Sequence, residues 1–297
     1  MGDGVITRQV EEGIAEFFQT AVEREKIRLA RLAGLPGPWT GDRAMSTWFF
    51  CNVRREDDRT TQWIAEHVRK PLVERGSGPE LITGMAACRW INRVETLERL
   101  RSMLAEGRWD SEEVRTRLRD VSPLVGGAYL VKTPDGMNKL EGVIWCVEAL
   151  RQRAQLMWMH GWRSLAAAHA DLMQCPFLGQ FMAYEVVSDL RWTPLLSMAT
   201  DINSWAAAGP GCARGLSWVF HGRPDQYRYT SERDQRKMTL LMHRLLQESR
   251  SVVRWPSGWE RWEMREVEHW ACEYDKWCRA THLSQPLKRR YAGRRSA

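Results

Sequence analysis

The sequence predicts an all-α protein, on three observations. Apolar residues recur at intervals of three and four in one segment after another, the period of a helix with one buried face. Gly and Pro clusters punctuate those segments where helices would end. Strand-like and helical runs do not alternate, so nothing suggests a parallel sheet with crossover helices.

Val10 to Ala33 reads as a long amphipathic helix with Ile14, Phe17, Phe18, Ala21, Ile27 and Leu32 on its apolar side, stopped by Gly34 to Pro38. Asp42 is placed to cap a short helix through Phe49, and Asp57 or Asp58 to cap the next, through Trp63, Ile64 and Val68 until Pro71 ends it. A helix from Pro79 carries Met85, Cys88, Arg89, Trp90, Asn92, Arg93 and Leu97. Trp109 to Arg119, Lys139 to Met159 and His160 to Gln174 follow as helices, with Val125 to Val131 the one extended candidate among them. Gly179 to Leu190 and Leu195 to Ala208 form a pair of helical segments ahead of Gly209-Pro210-Gly211, and Cys212 starts another. Ser231 to Arg250 and Trp259 to Ala280, separated by Pro256 and Gly258, complete the chain. The expected division is an N-terminal helix (1–40), a helical body (41–280) and a basic tail (281–297).

A chain of 297 residues with 43% hydrophobic content can bury a sizeable core. No apolar run reaches the length of a membrane span, and Met1 to Gly13 lacks the apolar core of a signal peptide. Seven cysteines, an odd number with no CxxC pair, suit a reducing cytoplasm and argue against a zinc ribbon. The expected location is therefore cytoplasmic. Net charge is +7, but Lys288, Arg289, Arg290, Arg294 and Arg295 supply five of those charges. Such a tail either touches a nucleic-acid backbone or stays solvated. Sixteen tryptophans serve to pack helices, with some available to stack on bases.

Several constellations carry candidate chemistry. Glu185 and Asp189 lie one helical turn apart and can share a cation, an ammonium or a proton, or form a solvated acidic edge. Gly209-Pro210-Gly211 followed by Arg214 fits a helix-hairpin-helix that holds a phosphate at a helix start, and fits equally a plain helix stop with a Pro-initiated successor. Asn52, Arg54, Arg55, Asp57 and Asp58 follow Trp48-Phe49-Phe50, so polar groups abut an apolar run and must find partners. Two adjacent arginines there can clamp a pyrophosphate. Arg89, Asn92 and Arg93 share one face of a continuous helix and suit an anion or open water. Glu266 and His269 have di-iron spacing, but no second such pair exists, so no metal site is assigned. There is no GxxxxGK[ST], no GxSxG, no HExxH and no dinucleotide fingerprint. A self-contained P-loop kinase is thereby excluded.

Phe50 to Ile64, Ala87 to Leu97, Gly179 to Arg191, Ala208 to Leu216 and Met264 to Arg279 together resemble the alpha-glutamyl/putrescinyl thymine pyrophosphorylases, or amino acid:DNA transferases, of phages. The same module resembles the helical part of phage hydroxymethyl-deoxyuridine DNA kinases. The resemblance spans about residues 40–280. It implies a DNA-glycosylase-like helical fold and thymine hypermodification, in which an amine or amino acid displaces pyrophosphate from pyrophosphomethyl-uracil in DNA. The missing P-loop favours the transferase, with a glycine-like donor and a kinase of the same pathway as partner. A non-catalytic DNA-binding module and a base-excising glycosylase stay open as alternatives.

Assigned to that reaction, Arg54, Arg55, Arg89 and Arg93 hold the pyrophosphate, with Asp57 and Asp58 beside them. Asn52 or Asn92 reads the base. Glu185 and Asp189 take the incoming ammonium and its proton, and Arg191 binds a donor carboxylate; Asp201 is a further substrate-binding candidate. Gly209, Gly211, Arg214, Lys288, Arg289 and Arg290 hold the DNA backbone. No cofactor is required by these motifs, and Mg²⁺ is the one candidate.

Overall fold

The computed structural model describes residues 2–128, 130–251, 255 and 261–291, with side chains described from residue 9 onward. Tyr129, Pro256, Gly258, Arg294 and Arg295 lie outside the described residues. In chain order the helices are α1 (Gly2–Leu32), α2 (Arg43–Thr47), α3 (Arg59–Ile64), α4 (Lys70–Glu74), α5 (Pro79–Ile91), α6 (Val94–Ala105) and α7 (Ser111–Leu118). They continue as α8 (Lys139–His160), α9 (Leu165–Leu172), α10 (Gln180–Leu190), α11 (Pro210–His221), α12 (Glu232–Ser251) and α13 (Met264–His282). Among the described residues there is no strand, so the all-α expectation holds; one isolated antiparallel bridge joins Trp48 and Arg290.

The helices group into two units, residues 1–58 with 203–297, and residues 59–202. In the first, α1, α11 and α13 pack closely because glycines remove side chains where backbones meet. A Cβ on Gly215 would stand 1.9 Å from the Ala271 carbonyl oxygen, and one on Gly13 2.2 Å from that of Val219. Aromatic rings fill the rest. Phe17 meets Phe18 at 5.1 Å and Tyr274 at 5.4 Å, and the buried Trp270 donates to the Phe17 carbonyl at 3.0 Å. Asp42 caps α2 by accepting from Met45 N at 2.7 Å, as its position predicts.

In the second unit every residue of α5 from Leu81 to Ile91 is buried, and α8 and α10 pack against it. Helices here depart from the sequence reading at four places. Pro71 does not end a helix: a π-turn over Ala65–Arg69 leads into α4, and the wider turn accommodates the missing proline N–H. The helix from Pro79 stops at Asn92, which adopts the left-handed conformation (φ 43°, ψ 36°), and Arg93 opens α6. Asparagine tolerates that conformation better than most side chains. Val125 to Val131 forms no strand among its described residues; Gly126 N donates to the Ile91 carbonyl at 2.8 Å instead. Residues 191–202 form successive turns where a helix was expected from Leu195. The Thr193 hydroxyl donates to the Leu190 carbonyl at 2.7 Å and accepts from Leu195 N at 3.3 Å, local bonds that compete with a helical ladder. No helix is formed up to Ala208 either, which removes the helix expected before the Gly-Pro-Gly break. No described helix is long and apolar enough to cross a membrane.

Candidate functional site

Between α2 and α3 the chain runs from Trp48 to Asp58 with only one 3-10 turn, Arg55–Asp57. A segment with so little regular structure, half-buried, must satisfy its backbone with side chains. It does so from both neighbouring long helices. Arg24 of α1 donates to the Phe50 carbonyl at 3.2 Å and to Asn52 Oδ1 at 2.6 Å. Asn52 N donates to Asp58 Oδ1 at 2.9 Å, and Asn52 Nδ2 to the Asp57 carbonyl at 2.7 Å. From α13, Glu273 accepts from Cys51 N at 2.8 Å, and His269 Nε2 lies 3.0 Å from the Asn52 carbonyl. The Asn52 amide is thus committed to holding the loop.

The site residues that reach beyond the loop are Asp58 and His269, whose Oδ2 and Nε2 are 3.8 Å apart. Both side chains keep about a fifth of their surface exposed, 23% and 19%. Burial pushes the Asp58 carboxyl above the ordinary range, and His269, Asn52 N–H and Arg55 offset this only in part. Burial likewise raises Asp57 against the pull of Arg28 and Arg54. Glu273 goes the other way: burial disfavours its charge, but Lys276 at 2.6 Å, His269 and the Cys51 N–H together outweigh it. Glu273, its charge favoured, thus sits with Lys276 near Asp58, whose charge is disfavoured. Among the described residues, Asp57 Oδ2 and Arg24 Nη1 are buried without a hydrogen-bond partner. Arg54 is half-buried and Arg55 buried in the same turn.

The basic residues after α13 lie alongside this loop. Phe49 N donates to the Arg289 carbonyl at 3.0 Å, and Tyr291 N to the Thr47 carbonyl at 2.9 Å. The Arg289 guanidinium lies 4.2 Å from the Phe49 ring centre and that of Arg290 5.6 Å from Trp48. Lys288, Arg289 and Arg290 are all exposed, so the rings position the charges without hiding them.

Other residues expected to share one site are placed elsewhere. Arg54, Arg55, Asn52, Asp57, Asp58 and the Gly209 region belong to one unit; Arg89, Asn92, Arg93, Glu185, Asp189, Arg191 and Asp201 belong to the other. In that second unit Arg89 lies in the buried stretch of α5 and must be neutralised in place. Asp189 of α10 does this, with Nε and Nη2 of Arg89 each 2.5 Å from a carboxylate oxygen. Thr61 Oγ1 accepts from Arg89 at 3.0 Å, Asn92 Oδ1 at 3.3 Å, and Arg69 approaches the Asp189 carbonyl at 3.4 Å. Arg89 and Asp189, expected to hold pyrophosphate and an ammonium, pair with each other. Arg93 has left the helix that would have aligned it with Arg89, and donates to the Pro123 carbonyl at 2.7 Å. Glu185 is half-buried. Arg191 stacks 5.0 Å from the Trp192 ring centre and donates to the Ser197 carbonyl at 3.3 Å. Asp201 accepts from Leu165 N at 2.7 Å and Ala166 N at 3.0 Å, capping α9.

Gly209 and Gly211 also have local reasons to be there. Glu268 accepts from Gly209 N at 3.3 Å, so a carboxylate already stands at the start of α11. A Cβ on Gly211 would lie 2.3 Å from Cys272 Sγ, which makes this glycine a packing requirement between α11 and α13. Arg214 pairs with the buried Asp275 at 3.0 Å. Glu266 forms a capping box with Glu263 and bonds Arg265 at 2.8 Å.

Sequence reading noted His269 only for its spacing to Glu266, assigned no role to Glu273, and passed over Arg24 and Lys276. Their spacing was a signal: His269, Glu273 and Lys276 recur at four and three on α13. Their target, an irregular loop more than two hundred residues earlier, is visible only in the fold.

A helical unit whose charged clusters are tied into irregular loops defines a helical domain, and comparison gives it a family. Residues 11–285 match the family described as 5-hmdU DNA kinase, helical domain, and the chain belongs to that family. It is similar to the 5-hmdU DNA kinase of Bacillus phage SP10, 26% identical over 293 residues, covering 88% of this chain and 44% of that protein. The chain therefore spans less than half the length of this relative. No solved structure matches.

Proposed function

We propose that the chain is a transferase of phage thymine hypermodification, displacing pyrophosphate from pyrophosphomethyl-uracil in DNA with an amine or amino acid. The observation that carries this reading is the Asp58–His269 pair beside the Phe50–Asp58 loop, with a carboxyl held above its ordinary range by burial. A carboxylate whose basicity is raised above the ordinary range is suited to take the proton of an ammonium donor before its nitrogen attacks. Membership in the helical-domain family supports the substrate class, modified thymine in DNA.

In this scheme Lys288, Arg289 and Arg290 hold the DNA backbone, and the modified base leaves the stack to reach the loop. Asp57 takes the donor ammonium, and the Asp58–His269 pair receives its proton. The freed nitrogen bonds to the exocyclic carbon while the carbon–oxygen bond breaks and its electron pair leaves on pyrophosphate. Arg54 and Arg55 steady that departing charge. Mg²⁺ is the candidate counter-ion of the pyrophosphate, to be tested by chelation.

A second reading has its own support: the family is named for a kinase, and the relative is more than twice the matched length. Here the chain presents DNA to a kinase activity located elsewhere and performs no transfer. Nucleoside mass spectrometry separates the two. The purified chain is mixed with DNA bearing pyrophosphomethyl-uracil and with glycine, glutamate or putrescine, then digested. Transfer gives a new adduct mass that names the donor. Unchanged nucleosides with DNA still bound support the second reading, and abasic sites would indicate a glycosylase.

A further inference from the structure

We propose that Glu16, Cys278 and His282 form a zinc-binding site that staples α1 to α13. Cys278 and His282 are four residues apart on α13 and so share a face, and Glu16 reaches them from α1. One ligand atom from each lies within 4.8 Å of the other two. Nitrogen, thiolate and carboxylate oxygen are the donors zinc takes, and three of them with an open fourth position is its catalytic or exchangeable form.

The surroundings are arranged as metal sites are. Tyr274 donates to Glu16 Oε2 at 2.5 Å, which orients the carboxylate and leaves its other oxygen for the cation. His282 Nε2 is 3.6 Å from the same carboxylate, and its ring is set between Trp218 at 5.7 Å and Trp277 at 5.4 Å. Cys278 is fully buried at the floor, while Glu16 and His282 reach the surface. Zn²⁺ with one thiolate, one carboxylate and a neutral imidazole is charge-neutral, and binding releases the thiol proton to solvent. Tetrahedral zinc needs donor separations of about 3.5 Å, from its bond lengths to sulfur and nitrogen. The closure falls on Glu16 and His282, the two ligands that reach the surface.

The test uses the purified chain and Co²⁺ as a spectroscopic probe, then Zn²⁺ in competition. The proposal expects a near-ultraviolet thiolate-to-cobalt band at one equivalent, bleached by Zn²⁺. Cys278→Ser abolishes the band. His282→Gln, a surface change that leaves the fold intact, weakens Zn²⁺ binding about tenfold or more. Zn²⁺ raises the melting temperature of the wild-type chain and not of Cys278→Ser. Absence of the band, its survival in Cys278→Ser, or equal Zn²⁺ affinity in wild type and His282→Gln would each overturn the proposal. The site lies outside the Asp58–His269 cluster, so its failure leaves the transferase reading untouched.

Discussion

Arg89 and Asp189 are joined by two parallel hydrogen bonds of 2.5 Å in a fully buried setting, 3% and 0% exposed. The pair binds α5 to α10 and takes in Thr61 from α3. Removing one partner leaves an uncompensated charge in the core. Arg89→Ala or Asp189→Ala is expected to cost about 3–5 kcal/mol. The double change to apolar residues of similar volume should cost much less. Urea unfolding of the three variants checks this; loss of activity in Arg89→Ala with unchanged stability would show a direct role instead.

Asp58→Asn separates function from stability. The folded Asp58 carboxyl lies above its unfolded value because burial disfavours the charge. Its contribution to stability is therefore full below the ordinary carboxylate range and is lost as pH rises through the folded pKa. The amide keeps the oxygen that accepts from Asn52 N and cannot ionise. Relative to wild type, the variant should gain stability on going from pH 4 to pH 7, measured by urea unfolding at both. An offset that does not change with pH would remove the argument for a shifted Asp58.

Gly215→Ala places a methyl group where the Ala271 carbonyl oxygen stands 1.9 Å away. Overpacking of this kind costs about 1–3 kcal/mol. Gly211→Ala, against Cys272, should destabilise by a similar mechanism, through a side chain that can shift. Thermal melting tests both. Unchanged stability with weakened DNA binding in Gly211→Ala would return Gly211 to a phosphate-holding role.

Arg289→Ala and Arg290→Ala should weaken DNA binding with little effect on folding, since both side chains are exposed. If each contacts one phosphate, each variant lowers the slope of log affinity against log salt by about 1. Fluorescence anisotropy across a salt series gives the slopes; slopes equal to wild type would exclude phosphate contact.

The all-α class and most helices were legible because amphipathic periodicity is local, as in α8 and α12. Four features were not. The Asn92 break depends on a left-handed residue that a helical pattern does not announce, and it dissolved the shared face of Arg89 and Arg93. The expected Leu195–Ala208 helix is replaced by turns and irregular chain, and at their start Thr193 ties the Leu190 carbonyl and Leu195 N, a local choice that periodicity does not announce. Gly209 and Gly211 look alike in a phosphate loop and in a close helix crossing, and only the neighbouring backbone distinguishes them. The Asn52 to Asp58 loop was legible as polar groups needing partners, yet those partners, Arg24, His269 and Glu273, come from the far ends of the sequence. Pairings across such distances are properties of the packing.

The most direct measurement is nucleoside mass spectrometry on pyrophosphomethyl-uracil DNA and the amine panel, run in parallel with wild type, Asp58→Asn and His269→Gln. The account predicts a donor-specific adduct with wild type, and loss of at least a hundredfold in both variants, the scale of a removed general base. Unchanged nucleosides with folded, DNA-binding wild-type chain, or full transfer by Asp58→Asn, would contradict it.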